Sequence, residues 1–122
     1  MIRQAAFCLI MAVLGAACPA AEPASGAASP AVFAPCSVCH STDGSNGVGP
    51  SLKGIVGRKA GSFAGFRYSR GMRAANFTWD AVALDKYLTD PQSLVPGNVM
   101  PFAGVIDSKA RAELIAYLAA LK

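Results

Sequence analysis

Apolar and polar positions divide the 122-residue chain into unequal parts. Ala5 to Ala17 is an unbroken apolar stretch, preceded by Arg3 and running into the small residues Ala16-Ala17-Cys18-Pro19-Ala20-Ala21. That is the layout of a secretory signal, and it falls short of the ~20 apolar residues that cross a bilayer. Residues 1–21 read as a signal peptide. Residues 22–28, almost all Ala, Ser, Pro and Gly, read as a flexible tether, and 29–122 as the folded domain.

Within the domain, helical spacing is confined to a few places. A short helix is expected from Ser29-Pro30 into Cys36–Cys39, with Pro35 shortening or bending it. A second starts around Thr78-Trp79-Asp80, carries Leu84, Tyr87 and Leu88 on one face, and stops at Asp90-Pro91. The last starts at the N-cap Asp107 and shows the stripe Leu114, Tyr117, Leu118, Leu121. A weak helical signal covers Ser69–Ala75. Between residues 41 and 71 glycines are too dense for a long helix or strand, and no alternating β-branched run predicts a sheet. The expected fold class is a small all-α domain, a few short helices with long loops. Roughly 90 residues bury little surface by themselves, so such loops need a central organiser.

Composition sharpens this picture in two ways. Of the 11 basic residues only Arg3 leaves with the leader, so ten stand against 7 acidic ones. Six of the ten (Lys53, Arg58, Lys59, Arg67, Arg70, Arg73) lie between Gly44 and Trp79, where there is no acid. That balance is too weak for a nucleic-acid binder. It is compatible with a solvated surface or with docking of an acidic partner. Of the four cysteines, Cys8 and Cys18 fall in the leader, leaving Cys36 and Cys39. An exported domain ordinarily pairs its cysteines across a longer loop, so this close pair has another use.

Cys36-Ser37-Val38-Cys39-His40 is the C-x-x-C-H signature of c-type haem attachment. Two thiols one helical turn apart reach two vinyl groups on one edge of a porphyrin, and the adjacent imidazole can pass beneath the iron. A structural zinc site needs four ligands, and His40 is the chain's one histidine. A redox dithiol needs a βαβ setting that the sequence lacks. The candidate second axial ligands are Met72 and Met100. Met100 is favoured because it sits in Pro96-Gly97-Asn98-Val99-Met100-Pro101-Phe102, a proline-pinned loop between two helices, and His/Met pairs ligate cytochrome haems.

From Ser29 to Lys122 the chain resembles class I cytochromes c, near the mitochondrial and bacterial photosynthetic-type branch. The resemblance is carried by the haem motif, Gly49-Pro50-Ser51-Leu52, Gly57-Arg58-Lys59-Ala60-Gly61, Phe66-Arg67-Tyr68-Ser69, Thr78-Trp79, Tyr87-Leu88, Pro96-Gly97, Met100-Pro101-Phe102-Ala103-Gly104 and Leu114-Ile115-Ala116-Tyr117-Leu118, in order and at family spacing. It implies one haem c, covalent through Cys36 and Cys39, with His40 and Met100 on the iron. It also implies that the Pro50 carbonyl accepts from the His40 ring. Tyr68 and Trp79 would hydrogen-bond a buried propionate, with Arg58 offsetting its charge. Tyr87 would approach the Met100 sulfur, Phe102 would cover the ring near its exposed edge, and Leu52 and Leu88 would pack against it. Four positions depart from the family. Ser29 replaces a glycine expected opposite Tyr117, Pro35 precedes the motif, Met72 replaces an asparagine, and Asn98 replaces a hydroxyl residue.

The function implied is a non-enzymatic, periplasmic, monomeric electron carrier. Its partners would be a bc-type complex, a terminal oxidase, a reaction centre or a dehydrogenase, met weakly and transiently. A peroxidase or gas-binding protein would require that Met100 not ligate. A membrane-held form would require a retained leader or a lipidated Cys18.

Overall fold

The computed structural model describes residues 28–122; the signal-peptide reading and all but the last residue of the tether lie outside the described residues. A 3-10 turn at Ala31–Phe33 leads into α1, Ala34–Ser37, where Pro35 occupies the first helical turn and costs no hydrogen bond. The predicted first helix is thus split into two short pieces. The Cys39 and His40 amides both reach back to the Cys36 carbonyl, at 3.1 and 2.9 Å, and carry the turn through the motif.

The other elements are α2 (Arg70–Ala74), α3 (Ala81–Thr89), α4 (Pro91–Leu94) and α5 (Ser108–Ala120). Ser69, Asp80, Asp90 and Asp107 cap their N-termini with side-chain oxygens that satisfy otherwise orphaned amides. Asp90-Pro91 does end α3, but it also begins α4, which the sequence reading did not include. Proline stands at the first position of α4, and the Asp90 carboxylate accepts from the Ser93 hydroxyl at 2.6 Å and from Ser93 N. These bonds to Ser93 hold the Asp90 carboxyl below its ordinary range. Among the described residues the one extended pairing is an isolated antiparallel bridge, Lys59 with Thr78, so the all-α expectation holds.

The core is the meeting of α3, α5 and the N-terminal turn. Leu114 is fully buried, and Leu84, Leu88 and Leu118 pack around it. Phe33 meets Tyr117 ring to ring at 4.8 Å, whereas Ser29 is exposed. An aromatic four residues after Ser29 thus packs on Tyr117. Arg111 joins α5 to Asp85 of α3 at 2.6 Å and donates to the Val105 and Ile106 carbonyls. These contacts clamp the segment entering α5. Among the described residues no helix is long and apolar enough to cross a membrane.

The Asp107 side chain is exposed, lines no cavity and makes one hydrogen bond, to Ala110 N, so its loss acts on the start of α5. Asp107→Ala is expected to lower stability by about 1 kcal/mol, measured by denaturant titration of the holoprotein, with the absorption spectrum unchanged.

Candidate functional site

The core helices do not close over one another on every side. They leave an apolar cleft whose empty space, counting the open solvent at its mouth, is about 980 Å³. Its back is Leu84 and Leu88 of α3 with Leu114 and Leu118 of α5. These are the stripe residues that also make the core, so one helical face serves both purposes.

All twelve residues singled out from the sequence line this one cleft: Cys36, Cys39, His40, Pro50, Leu52, Arg58, Tyr68, Trp79, Tyr87, Leu88, Met100 and Phe102. Sequence reasoning did not assign Ile55, whose single apolar side chain in a glycine-rich loop gave no periodic signal. Met72, the less favoured of the two candidate ligands and a departure from the family, is a buried wall residue.

On one side stands the Cys-x-x-Cys-His turn. Both thiols are free. Burial raises the Cys36 pKa above its ordinary value, which keeps it a thiol and unlike the low-pKa thiolates of redox enzymes. His40 Nδ1 lies 2.7 Å from the Pro50 carbonyl oxygen. A carbonyl can only accept, so Nδ1 carries the proton and Nε2 is left with its lone pair. The loop that brings Pro50 there folds back on the motif: Gly49 N donates to Cys39 O at 2.9 Å, and Leu52 N to Ser41 O at 2.8 Å. Gly49 is sterically required. A Cβ at that position would stand 2.5 Å from His40 Cε1.

Across the cleft, Met100 Sδ lies 3.9 Å from the Tyr87 hydroxyl, which donates to it. Burial pushes the Tyr87 pKa up to about 12, so the phenol stays protonated as a donor. Trp79 packs edge-on against Phe77 and Tyr87 at 4.8 and 4.9 Å. The segment after Met100 is fixed to the end of α3. Val105 N donates to Leu88 O, and Gly104, at φ +117°, presses so close to Thr89 O that a Cβ would collide with it.

At the inner end lie Arg58 and Tyr68. The Arg58 guanidinium donates to Ser51 O at 2.8 Å and stacks 4.2 Å from the Phe63 ring. Burial lowers its pKa, and the adjacent Tyr68 partly opposes this. The Tyr68 hydroxyl accepts from Phe63 N at 3.1 Å, which leaves its own proton free to donate.

The donor set fits a haem. Two free thiols stand one turn apart, an imidazole has its second nitrogen tied back, a thioether faces the cleft, and the walls are apolar. Among the described residues no cluster of three or more His, Cys, Asp or Glu could hold a bare metal ion instead. Fold and cleft together define a small all-α haem-binding domain.

Comparison with known proteins agrees. The cytochrome c family model matches residues 27–122, so the chain belongs to the cytochrome c family. A cytochrome c2 iso-2 of Magnetospirillum fulvum is 50% identical over 93 residues, covering 75% of this chain and 97% of its own. A cytochrome c of Trypanosoma brucei brucei is 51% identical over 79 residues, covering 65% and 85%. The solved structure of cytochrome cH from Methylobacterium extorquens superposes with a TM-score of 0.69 at 45% identity, covering 71% of this chain and 89% of that one. The chain is accordingly an electron carrier with one covalently attached haem c.

Gly49→Ala forces the His40 ring or the Pro50 loop to move. It is expected to destabilise the holoprotein by about 1–3 kcal/mol, as overpacking does. Denaturant titration checks the cost, and loss of the Nδ1 proton signal in the NMR spectrum checks its cause.

Proposed function

We propose that the chain is a periplasmic one-electron carrier whose haem is attached through Cys36 and Cys39 and whose iron is held between His40 and Met100. The observation that carries this reading is the His40 ring. Its Nδ1 is committed to Pro50 O at 2.7 Å, so the nitrogen left to bind iron is Nε2. The Met100 thioether and its donor Tyr87 line the same cleft. When bound, the haem supplies a ferric/ferrous couple.

The protein's own groups do the rest. Thioether links to the two cysteines hold the haem against loss. Apolar walls disfavour the more highly charged ferric state and limit water rearrangement on electron transfer. The Tyr87 hydroxyl draws density from the methionine sulfur, and a His/Met pair favours a high potential. Tyr68, Trp79 and Arg58 would receive a propionate, the arginine through guanidinium donors not used on the Ser51 and Lys53 carbonyls. With both axial positions filled by side chains, no coordination site remains for a substrate, which argues for a carrier rather than an enzyme. The signal-like leader supports export.

The mouth of the cleft bears on the partner. Residues 34–42 and 91–106 contain no Asp, Glu, Lys or Arg, and Val38, Val99 and Ile106 on these segments are 79, 76 and 91% exposed. These segments also supply Cys36, Cys39, His40, Met100 and Phe102 to the cleft wall, so redox partners such as a bc-type complex, oxidase, reaction centre or dehydrogenase approaching there would meet an uncharged surface, with the basic residues from Lys53 to Arg73 acting as steering charges.

Two measurements test this. An optical redox titration should show one reversible step at positive potential, with no spectral change on adding carbon monoxide. Met100→Ala should keep the haem, lower the potential and admit carbon monoxide; an unaltered potential would refute the ligand assignment. Electron self-exchange, followed by NMR, should change less than about threefold between ~0.01 and ~1 M ionic strength, over which the screening length falls from ~30 to ~3 Å. A rise above tenfold with salt would mean that the basic stretch sits at the contact instead.

A further inference from the structure

Asn98 stands two residues before Met100 and is one of the two buried polar residues of the described chain, at 8% exposure. Its hydrogen-bonding groups all converge on the Met100 loop or on α4 and its C-cap. The side-chain amide nitrogen donates to Pro91 O at 3.1 Å and to Val95 O at 3.0 Å. The side-chain oxygen accepts from the Met100 backbone amide at 3.0 Å. With two carbonyls on one side and an N–H on the other, the orientation of the amide is fixed by its partners. The backbone of Asn98 is engaged as well: its amide donates to Val95 O at 3.1 Å, and its carbonyl accepts from Gln92 Nε2 at 2.9 Å. Gln92 Oε1 in turn accepts from Gly97 N at 3.2 Å.

A hydroxyl side chain has one proton and could not donate to both the Pro91 and Val95 carbonyls while accepting from Met100. An aspartate would be isosteric but would turn a carboxylate oxygen onto those carbonyls, which is unfavourable at a buried position. A glutamine is one methylene too long for the same closed set. The requirement is therefore for asparagine, and it is directed at the backbone of the residue that carries the thioether.

We propose that Asn98, braced by Gln92, is a positioning residue that clamps the Met100 loop onto α4 and so sets how readily the methionine can be displaced from the iron. This rests on the reading of Met100 as the axial ligand. The clamp contributes nothing to the ring or the sulfur directly. It removes loop conformations in which Met100 has swung out, so an external ligand must break it in order to enter. Breaking a buried, fully satisfied set of this kind leaves unpaired donors and acceptors, so the penalty is larger than for a surface bond.

The test is imidazole binding to the ferric holoprotein, titrated through loss of the methionine–iron charge-transfer band. Asn98→Ala is expected to bind imidazole at least about tenfold more tightly than the wild type, as loss of a buried hydrogen-bond set predicts. Asn98→Ser, which can still accept from Met100 N, should fall between the two. Gln92→Ala, at an exposed position, should move in the same direction by a smaller factor, and it carries the test if Asn98→Ala does not fold. Asp107→Ala serves as the control: it weakens a helix cap that shares no hydrogen bond with Asn98, Gln92 or Met100 and should leave imidazole affinity unchanged. Equal affinity for wild type and Asn98→Ala would overturn the proposal. So would an equal rise in Asp107→Ala, because the effect would then be global stability alone. If the wild type itself lacked the charge-transfer band, the ligand reading would have failed, a different result from failure of the clamp.

Discussion

A concave apolar surface is the constraint on which this structure turns. The described domain has five helices, the longest running from Ser108 to Ala120, and its glycine-rich loops form no sheet. Such a chain buries little surface on its own account. Its buried side chains Trp79, Tyr87, Leu88, Leu114 and Leu118 belong to one core and still leave apolar faces lining a cleft. Filling that cleft with a rigid apolar plate completes the core. The same side chains therefore serve the core and the cofactor wall.

The two sides of the cleft are held by different means. The cysteine and histidine side is local: one turn of backbone sets Cys36, Cys39 and His40, and a ten-residue return loop supplies Pro50. The methionine side is assembled from distant pieces. Asn98 ties the loop back to α4, and Gly104-Val105 ties it forward to the end of α3. Arg111 then fixes the segment beyond to α3 and α5. A side held by covalent links and local turns resists opening. A side held by a dispersed set of single hydrogen bonds is where opening would start.

This difference also explains what could be read from the sequence. The haem motif, the caps at Asp80 and Asp107 and the Leu114–Leu118 stripe are short-range patterns, and each places an element without reference to the rest. The site residues came from spacing along a known family, and they converge on one cleft because that spacing encodes a topology no local rule contains. The helix at Pro91 was missed because Asp-Pro is at once a stop for the helix before it and a cap with a first-turn proline for the helix after it. Ser29 was placed opposite Tyr117 by the family resemblance; it lies ahead of the 3-10 turn at Ala31–Phe33 and is exposed, while Phe33 at the end of that turn meets the Tyr117 ring. The role of Asn98 depends on three backbone groups, none of which carries sequence information of its own.

Charge placement follows from the same geometry. Segments that must lie against an apolar plate, or turn back sharply at its edge, are built of Cys, Pro, Gly, Val, Met and Phe, so the mouth of the cleft has few charges to spare. The cations accumulate instead in the loop from Lys53 to Arg73, where only Arg58 turns inward, its guanidinium occupied by the Ser51 carbonyl and the Phe63 face. An uncharged rim has a consequence for a carrier that must bind and leave quickly. Apolar contact of small area gives an encounter without the orientational lock of an ion-pair ring, so many approach angles bring a donor or acceptor near the same edge. On the proposed reading, selection of a partner would be weak at the rim itself, with the basic loop contributing only long-range steering. The distribution of charge would thereby separate the attraction that brings partners together from the contact through which the electron passes.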